Sequence, residues 1–326
     1  MKVVAPDGTE MRACRDPDGA VQALHAEVAR RRADGWQLVV DNLAVEALGP
    51  AAVSAQPELE RQVEHDPTDA VTWGMLAEAW TKAGDPRGAC VDLAQPARTT
   101  DPSEFLRQRA AAAPAQRLRD GHFYGALGDD AYRVVASVAR GLVGAVELPY
   151  ELHAPGRTTA RLVELVMTNP FARFLSGLTV RAADVDGVLD VLRSVGARSL
   201  QRLSVRQLGD RAGAPIRVGA AIAELPRLRR LVLQLEHAPV AWEASPCPSL
   251  RELEVDPPGS RAQGLDFLAW IDRQPALESV ALGWGLDGAE AGQVDALLAP
   301  WMADPARWPA ALREVRWRGQ AAVRGA

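Results

Sequence analysis

The sequence predicts an α/β fold: a solenoid of parallel strands and helices, preceded by an α-helical domain and a small N-terminal α/β unit. Three observations predict it. An apolar-x-x-apolar-x-apolar hexad returns seven times, all in the C-terminal part of the chain. Segments with apolar residues at helical spacing lie between the hexads. The stretch upstream of the first hexad carries helix caps and helix stops instead.

The hexads are Val143/Val146/Leu148, Leu175/Leu178/Val180, Leu200/Leu203/Val205, Leu228/Leu231/Leu233, Leu250/Leu253/Val255, Leu277/Val280/Leu282 and Leu312/Val315/Trp317. Their starts are 32, 25, 28, 22, 27 and 35 residues apart. Side chains alternate along a strand, so the three apolar residues of each hexad are expected in the core. Burying each one contributes about 1.5–3 kcal/mol, and no single repeat can bury its own set. Helices are expected at 160–167, 185–195, 218–225, 265–271 and 294–298. A strand and a helix per repeat, mostly at this period, resembles leucine-rich repeats of the ribonuclease-inhibitor type. That resemblance implies about seven irregular repeats over 142–326 with a parallel sheet on the concave side. The Asn or Cys usual three residues after the last hexad position is replaced by Ala183, Leu208, Glu236 and Pro258. A less regular array is therefore expected, distorted at Pro257-Pro258.

Residues 1–47 read as the small α/β unit. Lys2-Val3-Val4 and Met11-Arg12-Ala13 are expected as short strands around the turn signal Pro6-Asp7-Gly8. A helix from Gly19 to Ala33 and a strand at 36–40 follow. This unit resembles the tail of WGR domains, which often accompany nucleic-acid enzymes, although the Trp-Gly-Arg triplet is absent. Residues 48–56 read as a linker.

The helical domain spans 57–141. Pro57–Glu64 is one helix, stopped at Asp66-Pro67. Asp69 caps a second helix, with an expected buried stripe of Val71, Met75, Leu76, Ala79 and Trp80. Trp73, Leu76, Ala77, Trp80 and Gly84 also fit one tetratricopeptide-like hairpin. Asp85-Pro86 starts a third helix, with proline where its missing N–H costs nothing. Phe105, Leu106 and Ala110 indicate a further helix, and Tyr132, Val135, Val138 and Ala139 another. Arg140-Gly141 is then expected to lead directly into the first repeat strand.

The segments Asp66-Pro67-Thr68-Asp69, Leu76-Ala77-Glu78-Ala79-Trp80, Gly84-Asp85-Pro86-Arg87-Gly88 and Leu93-x-Gln95 together resemble the bacterial repeat-companion domain. Leu76, Ala79 and Ala89 replace the family's Tyr, Trp and Glu. The resemblance covers about 40 residues and is most specific at Gly-Asp-Pro-Arg-Gly. It implies a module that precedes leucine-rich repeats and covers the open end of their core.

Composition bounds the function. The chain has 326 residues and a formal net charge of −5, which argues against a dedicated nucleic-acid binder. Its lysines are Lys2 and Lys82 alone; the remaining basic residues are dispersed arginines, as a GC-rich genome would encode. Cys14, Cys90 and Cys247 form no CxxC pair, which fits a reducing cytoplasm. No signal-peptide core is read near Asp7 and Glu10, and the most apolar stretch, Val134–Leu148, is broken by Arg140 and Glu147. Cytoplasmic localisation without membrane contact is expected.

No nucleophile elbow, phosphate loop or HExxH motif occurs. His25, His65, His122, His153 and His237 are scattered, so no metal or cofactor is expected. Glu252, Glu254 and Asp256 form the densest carboxylate cluster and read as a solvated strand face rather than a cation site. Trp242, Trp284, Trp301 and Trp308 read as core or helix-layer residues before partner anchors.

The outward strand positions carry the functional expectation. Arg181, Arg202, Arg206, Arg230 and Gln234 form a basic field; Glu252, Glu254 and Asp256 follow as an acidic patch, and Arg316 lies on the last strand. A non-enzymatic protein–protein interaction scaffold is expected, binding its partner on this concave face. The alternative is a nucleic-acid-binding accessory protein using the same arginines and the N-terminal unit.

Overall fold

In this computed structural model the described residues are 3–5, 8–10, 56–93, 102–149, 158–208, 215–235, 240–243, 245–256, 260–283, 289–317 and 320–324. The chain divides into two compact units, Met1–Ala44 and Val45–Ala326.

In the first unit β1 (Val3–Ala5) pairs antiparallel with β2 (Gly8–Glu10), Val3 opposite Glu10. The second strand was expected at Met11–Ala13. Ala5 pairs with Gly8, only three residues on, so pairing starts at Gly8 and the second strand lies earlier than expected. The helix expected at 19–33 and the strand at 36–40 lie outside the described residues.

The second unit opens with helices. α1 is Pro57–His65. α2 (Ala70–Lys82) is capped by Asp69, whose carboxylate accepts from the Val71 N–H at 2.9 Å. Its buried stripe is Trp73, Leu76, Ala77 and Trp80, at i, i+3, i+4 and i+7. Val71 and Met75 are exposed, a correction to the expected stripe: the two tryptophans bury far more surface and set the rotation of the helix. α3 (Pro86–Leu93) and α4 (Pro102–Leu127) follow.

The segment 135–139 is not helical. It is strand β3 (Val135–Ala139), antiparallel to β4 (Leu142–Leu148). Ala139 lies opposite Leu142, so Arg140 and Gly141 form a two-residue turn, with φ of 49° and 81°. Two successive left-handed residues match the twist of a hairpin, which is why the chain turns back here instead of continuing one helix.

From β4 onward every hexad supplies a strand. The strands are β5 (Gly177–Ala182), β6 (Arg202–Gln207), β8 (Arg230–Gln234), β10 (Glu252–Val255), β11 (Ser279–Leu282) and β12 (Glu314–Trp317). They are parallel and follow chain order. Val146, Leu178, Leu203, Leu231, Leu253, Val280 and Val315 stand in one row across the sheet. β13 (Gln320–Val323) returns antiparallel beside β12 and completes a nine-stranded, mostly parallel sheet. A separate two-residue ladder joins β7 (Ile216–Arg217) to β9 (Val240–Ala241).

The helices between strands are α5 (Thr159–Thr168), α6 (Val185–Val195), α7 (Val218–Ala223), α8 (Arg261–Ile271) and α9 (Ala289–Ala303). The last two start earlier than expected. Ser260 caps α8, its hydroxyl accepting from the Gln263 N–H. Right-handed crossovers between strands laid down in one direction put successive helices on the same face of a sheet. The hexad side chains are buried on that face in one apolar core running from Val63 to Trp317. No reversal of strand order occurs among the described strands, so no helix is carried to the other face.

The repeat is stitched by the backbone. In five of the seven hexads the carbonyl of the second residue (Ser176, Gln201, Arg229, Arg251 and Glu278) accepts from two successive N–H groups of the next hexad. The first apolar residue of most hexads also closes a turn: the N–H groups of Leu175, Leu200, Leu228, Leu250 and Leu312 donate to carbonyls three residues back. The expected distortion at Pro257-Pro258 lies outside the described residues.

Candidate functional site

The outward strand residues form three rows across the face that no described helix covers. Gly177, Arg202, Arg230, Glu252, Ser279 and Glu314 are paired neighbours in the first. Thr179, Ser204, Val232, Glu254, Ala281 and Arg316 form the second. Arg181, Arg206 and Gln234 form a third. Asp256 follows β10 directly. All nine residues singled out in the sequence therefore lie on or just beyond the strands of one face, although they come from different repeats.

The expected basic and acidic fields meet at Arg230. Its two terminal nitrogens lie 3.6 Å from Glu252 and 3.5 Å from Glu254. All three side chains are about half exposed, so these pairs orient Arg230 more than they stabilise the fold. The Asp256 carboxylate accepts from the Leu235 N–H at 2.6 Å and is partly buried, so it supports the neighbouring strand's backbone. Arg316 pairs with Glu314 on its own strand at 3.3 Å.

Arg202 differs. It is exposed and has no acidic partner among the described residues. Its side chain lies across Gly177 of the adjacent strand: a Cβ there would stand 3.3 Å from a terminal guanidinium nitrogen and 3.6 Å from Nε. Arg181 likewise has no acidic partner among the described residues. The sequence names these arginines but gives Gly177 no role; only the register that sets Gly177 beside Arg202 reveals one.

A groove of about 530 Å³ lies over this part of the face. It crosses β3, β4, β5, β6, β8 and β10, with Ala145, Gly177, Thr179 and Ser204 as small floor residues. Arg202, Arg230, Glu147 and Glu254 supply its charges, and Val135, 57% exposed, stands at one end.

A second charge cluster lies among the helices and is paired by ion contacts within itself. Arg87, 4% exposed, forks onto Asp85 at 2.6 and 3.0 Å and reaches Glu60 at 3.5 Å. Arg173 meets Glu60 at 3.4 Å and Glu64 at 3.0 Å. The Gly-Asp-Pro-Arg-Gly run is thereby explained as architecture. Gly84 turns at φ +73°, Asp85 accepts from the Arg87 N–H, Pro86 opens α3 and Arg87 closes the ion network. Gly88 lets α3 cross α2 closely, since a Cβ there would lie 2.4 Å from the Thr81 Oγ1.

The remaining candidates are packing residues. Trp242 lies against Phe267 and Trp270, with centroids 5.1 and 4.7 Å away. Trp301 and Trp308 are buried and 5.7 Å apart, and the Trp308 indole donates to the Trp301 carbonyl. Trp284 lies outside the described residues. Burial raises the Cys90 thiol to about 11 and also raises that of Cys247. Among the described residues, no three His, Cys, Asp or Glu side chains converge as metal ligands would, and no helix is long and apolar enough to cross a membrane.

No family model, curated protein or solved structure matches the chain.

Proposed function

We propose that the chain is a non-enzymatic recognition protein that binds a protein partner on the uncovered face of its sheet. Residues 142–326 are read as a leucine-rich-repeat-like solenoid and 57–141 as its companion-type cap. The in-register hexads and the recurring backbone stitch support the first assignment. The structural use of Gly84 through Gly88 supports the second.

The observation that carries the function is the open face itself. Parallel sheets are normally covered on both sides. Here one side is covered by helices and the other holds a groove with an arginine, Arg202, that has no acidic partner among the described residues. A preformed, charged and uncovered surface selects partners electrostatically. A cytoplasmic site of action belongs to the same reading, supported by the free, buried thiols of Cys90 and Cys247.

The test is a pull-down from native host lysate with mass spectrometry, comparing wild type with Arg202→Glu/Arg206→Glu/Glu254→Arg. A protein retained by wild type and lost by the variant supports the reading. A partner retained by both moves the site off this face. Recovery of only nuclease-sensitive material would favour nucleic-acid binding through the same arginines.

A further inference from the structure

We infer that the groove over β3 to β10 is a peptide site, with Arg202 the anchor for one carboxylate side chain of an extended segment of a partner protein. The inference rests on the reading of this face as a recognition surface and specifies its occupant.

Three observations lead there. The first is shape. Six adjacent strands at about 4.8 Å spacing make the groove about 24 Å long, the reach of roughly seven extended residues. Its floor at Ala145, Gly177, Thr179 and Ser204 is made of short side chains, which leaves room for a main chain.

The second is charge. Arg230 is already held by Glu252 and Glu254, whereas Arg202 has no acidic partner among the described residues. A guanidinium offers a planar fork of donors that fits a carboxylate. Glu147 and Glu254 stand in the second row of the same groove. They disfavour a run of acidic residues and restrict the ligand to a single carboxylate opposite Arg202. A polyanion such as single-stranded nucleic acid fits this pattern less well than a peptide does.

The third is preorganisation. The Arg202 side chain lies over Gly177, where any side chain would crowd it. The absence of a Cβ there leaves the guanidinium room to lie across the floor of the groove at Gly177. At the β3 end, exposed Val135 offers an apolar contact for a residue of the same segment.

The test is selection of a random heptapeptide display library on the purified full-length protein. Wild type is expected to enrich one fixed position for Asp or Glu. In direct binding of the best peptide, Arg202→Ala should weaken affinity about tenfold or more, as loss of a charge-assisted contact does. Arg202→Glu should reselect Lys or Arg at that position. Gly177→Ala should weaken binding by moving the guanidinium, while Arg193→Ala, a charge-matched control on α6, should leave it unchanged. Melting curves confirm that each variant is folded.

An acidic position that persists with Arg202→Ala, or a selection that enriches nothing, overturns the inference. So does equal competition by poly-uridylate. A face-dependent partner in the pull-down would still stand in those cases, and would then dock through a folded surface rather than an extended segment.

Discussion

The guanidinium of Arg87 lies 4.3 Å from the centroid of the Trp80 ring, so a buried cation is stacked on the main aromatic of the helical part. The same guanidinium holds Asp85 and Glu60. Removing it leaves Glu60, 1% exposed, without its buried counter-charge. Arg87→Met should cost about 3–5 kcal/mol in urea unfolding. Arg87→Lys keeps the charge but loses the fork, and should cost roughly 1.5–3 kcal/mol. Adding Glu60→Gln to Arg87→Met should recover part of the loss, which a double-mutant cycle measures directly.

Gly88 and Gly74 predict opposite signs for one substitution. A Cβ on Gly88 meets the Thr81 hydroxyl at 2.4 Å and the Ala77 carbonyl at 2.7 Å, whereas nothing lies within 4 Å of one on Gly74. Gly88→Ala should destabilise by about 1–3 kcal/mol as α2 and α3 are forced apart. Gly74→Ala, in the exposed interior of α2, should stabilise by roughly 0.5–1 kcal/mol. Thermal melts of the two variants beside wild type decide the matter.

Gln274 takes over backbone pairing at a repeat junction. It is fully buried; its carbonyl oxygen accepts from the Cys247 N–H at 2.8 Å and its amide donates to the Trp270 carbonyl at 3.1 Å. Gln274→Leu keeps the bulk and leaves the buried Cys247 N–H without its acceptor, while the Trp270 carbonyl keeps the Arg273 N–H; the cost should be about 1–3 kcal/mol. Faster hydrogen exchange at the Cys247 amide than in wild type would locate the loss there.

The pH dependence below neutrality should include His122. Burial lowers its pKa below 6.5, and its ring stacks on Phe171 at a centroid distance of 5.2 Å. The unfolded chain therefore takes up the proton first as pH falls through 6.5, and the folded state loses stability from there toward its lower folded value. Wild type should lose more melting temperature between pH 7.5 and 5 than His122→Phe does. Equal slopes would remove His122 from the account.

The sheet was legible because its signal is local and repeated. Each hexad alternates at period two, and seven copies fix both strand positions and register. The charged rows follow from that register, as does the meeting of Arg230 with Glu252, since laying the hexads side by side makes those residues neighbours. β3 was not legible, because Val135, Val138 and Ala139 also satisfy helical spacing and the Arg140-Gly141 turn carries no Asn-Gly signature. The rotation of α2 was legible in only one of its two readings: Val71 and Met75 suit a buried stripe as well as Trp73 and Ala77 do, and the structure buries the latter. What decides between them is packing against other segments: the Trp73 ring lies 4.9 Å from that of Phe174, a hundred residues away. The groove was the least legible feature, since it depends on the absence of a side chain at Gly177.

The hairpins at the two margins of the sheet have a consequence for growth. β3 and β13 run against the strands between them, so neither margin offers a like-oriented neighbour to a further parallel unit. The array behaves as a ruler with stops at both ends. Its working length can change only by inserting or deleting a unit internally, and each insertion would widen the uncovered face by one strand spacing of about 4.8 Å.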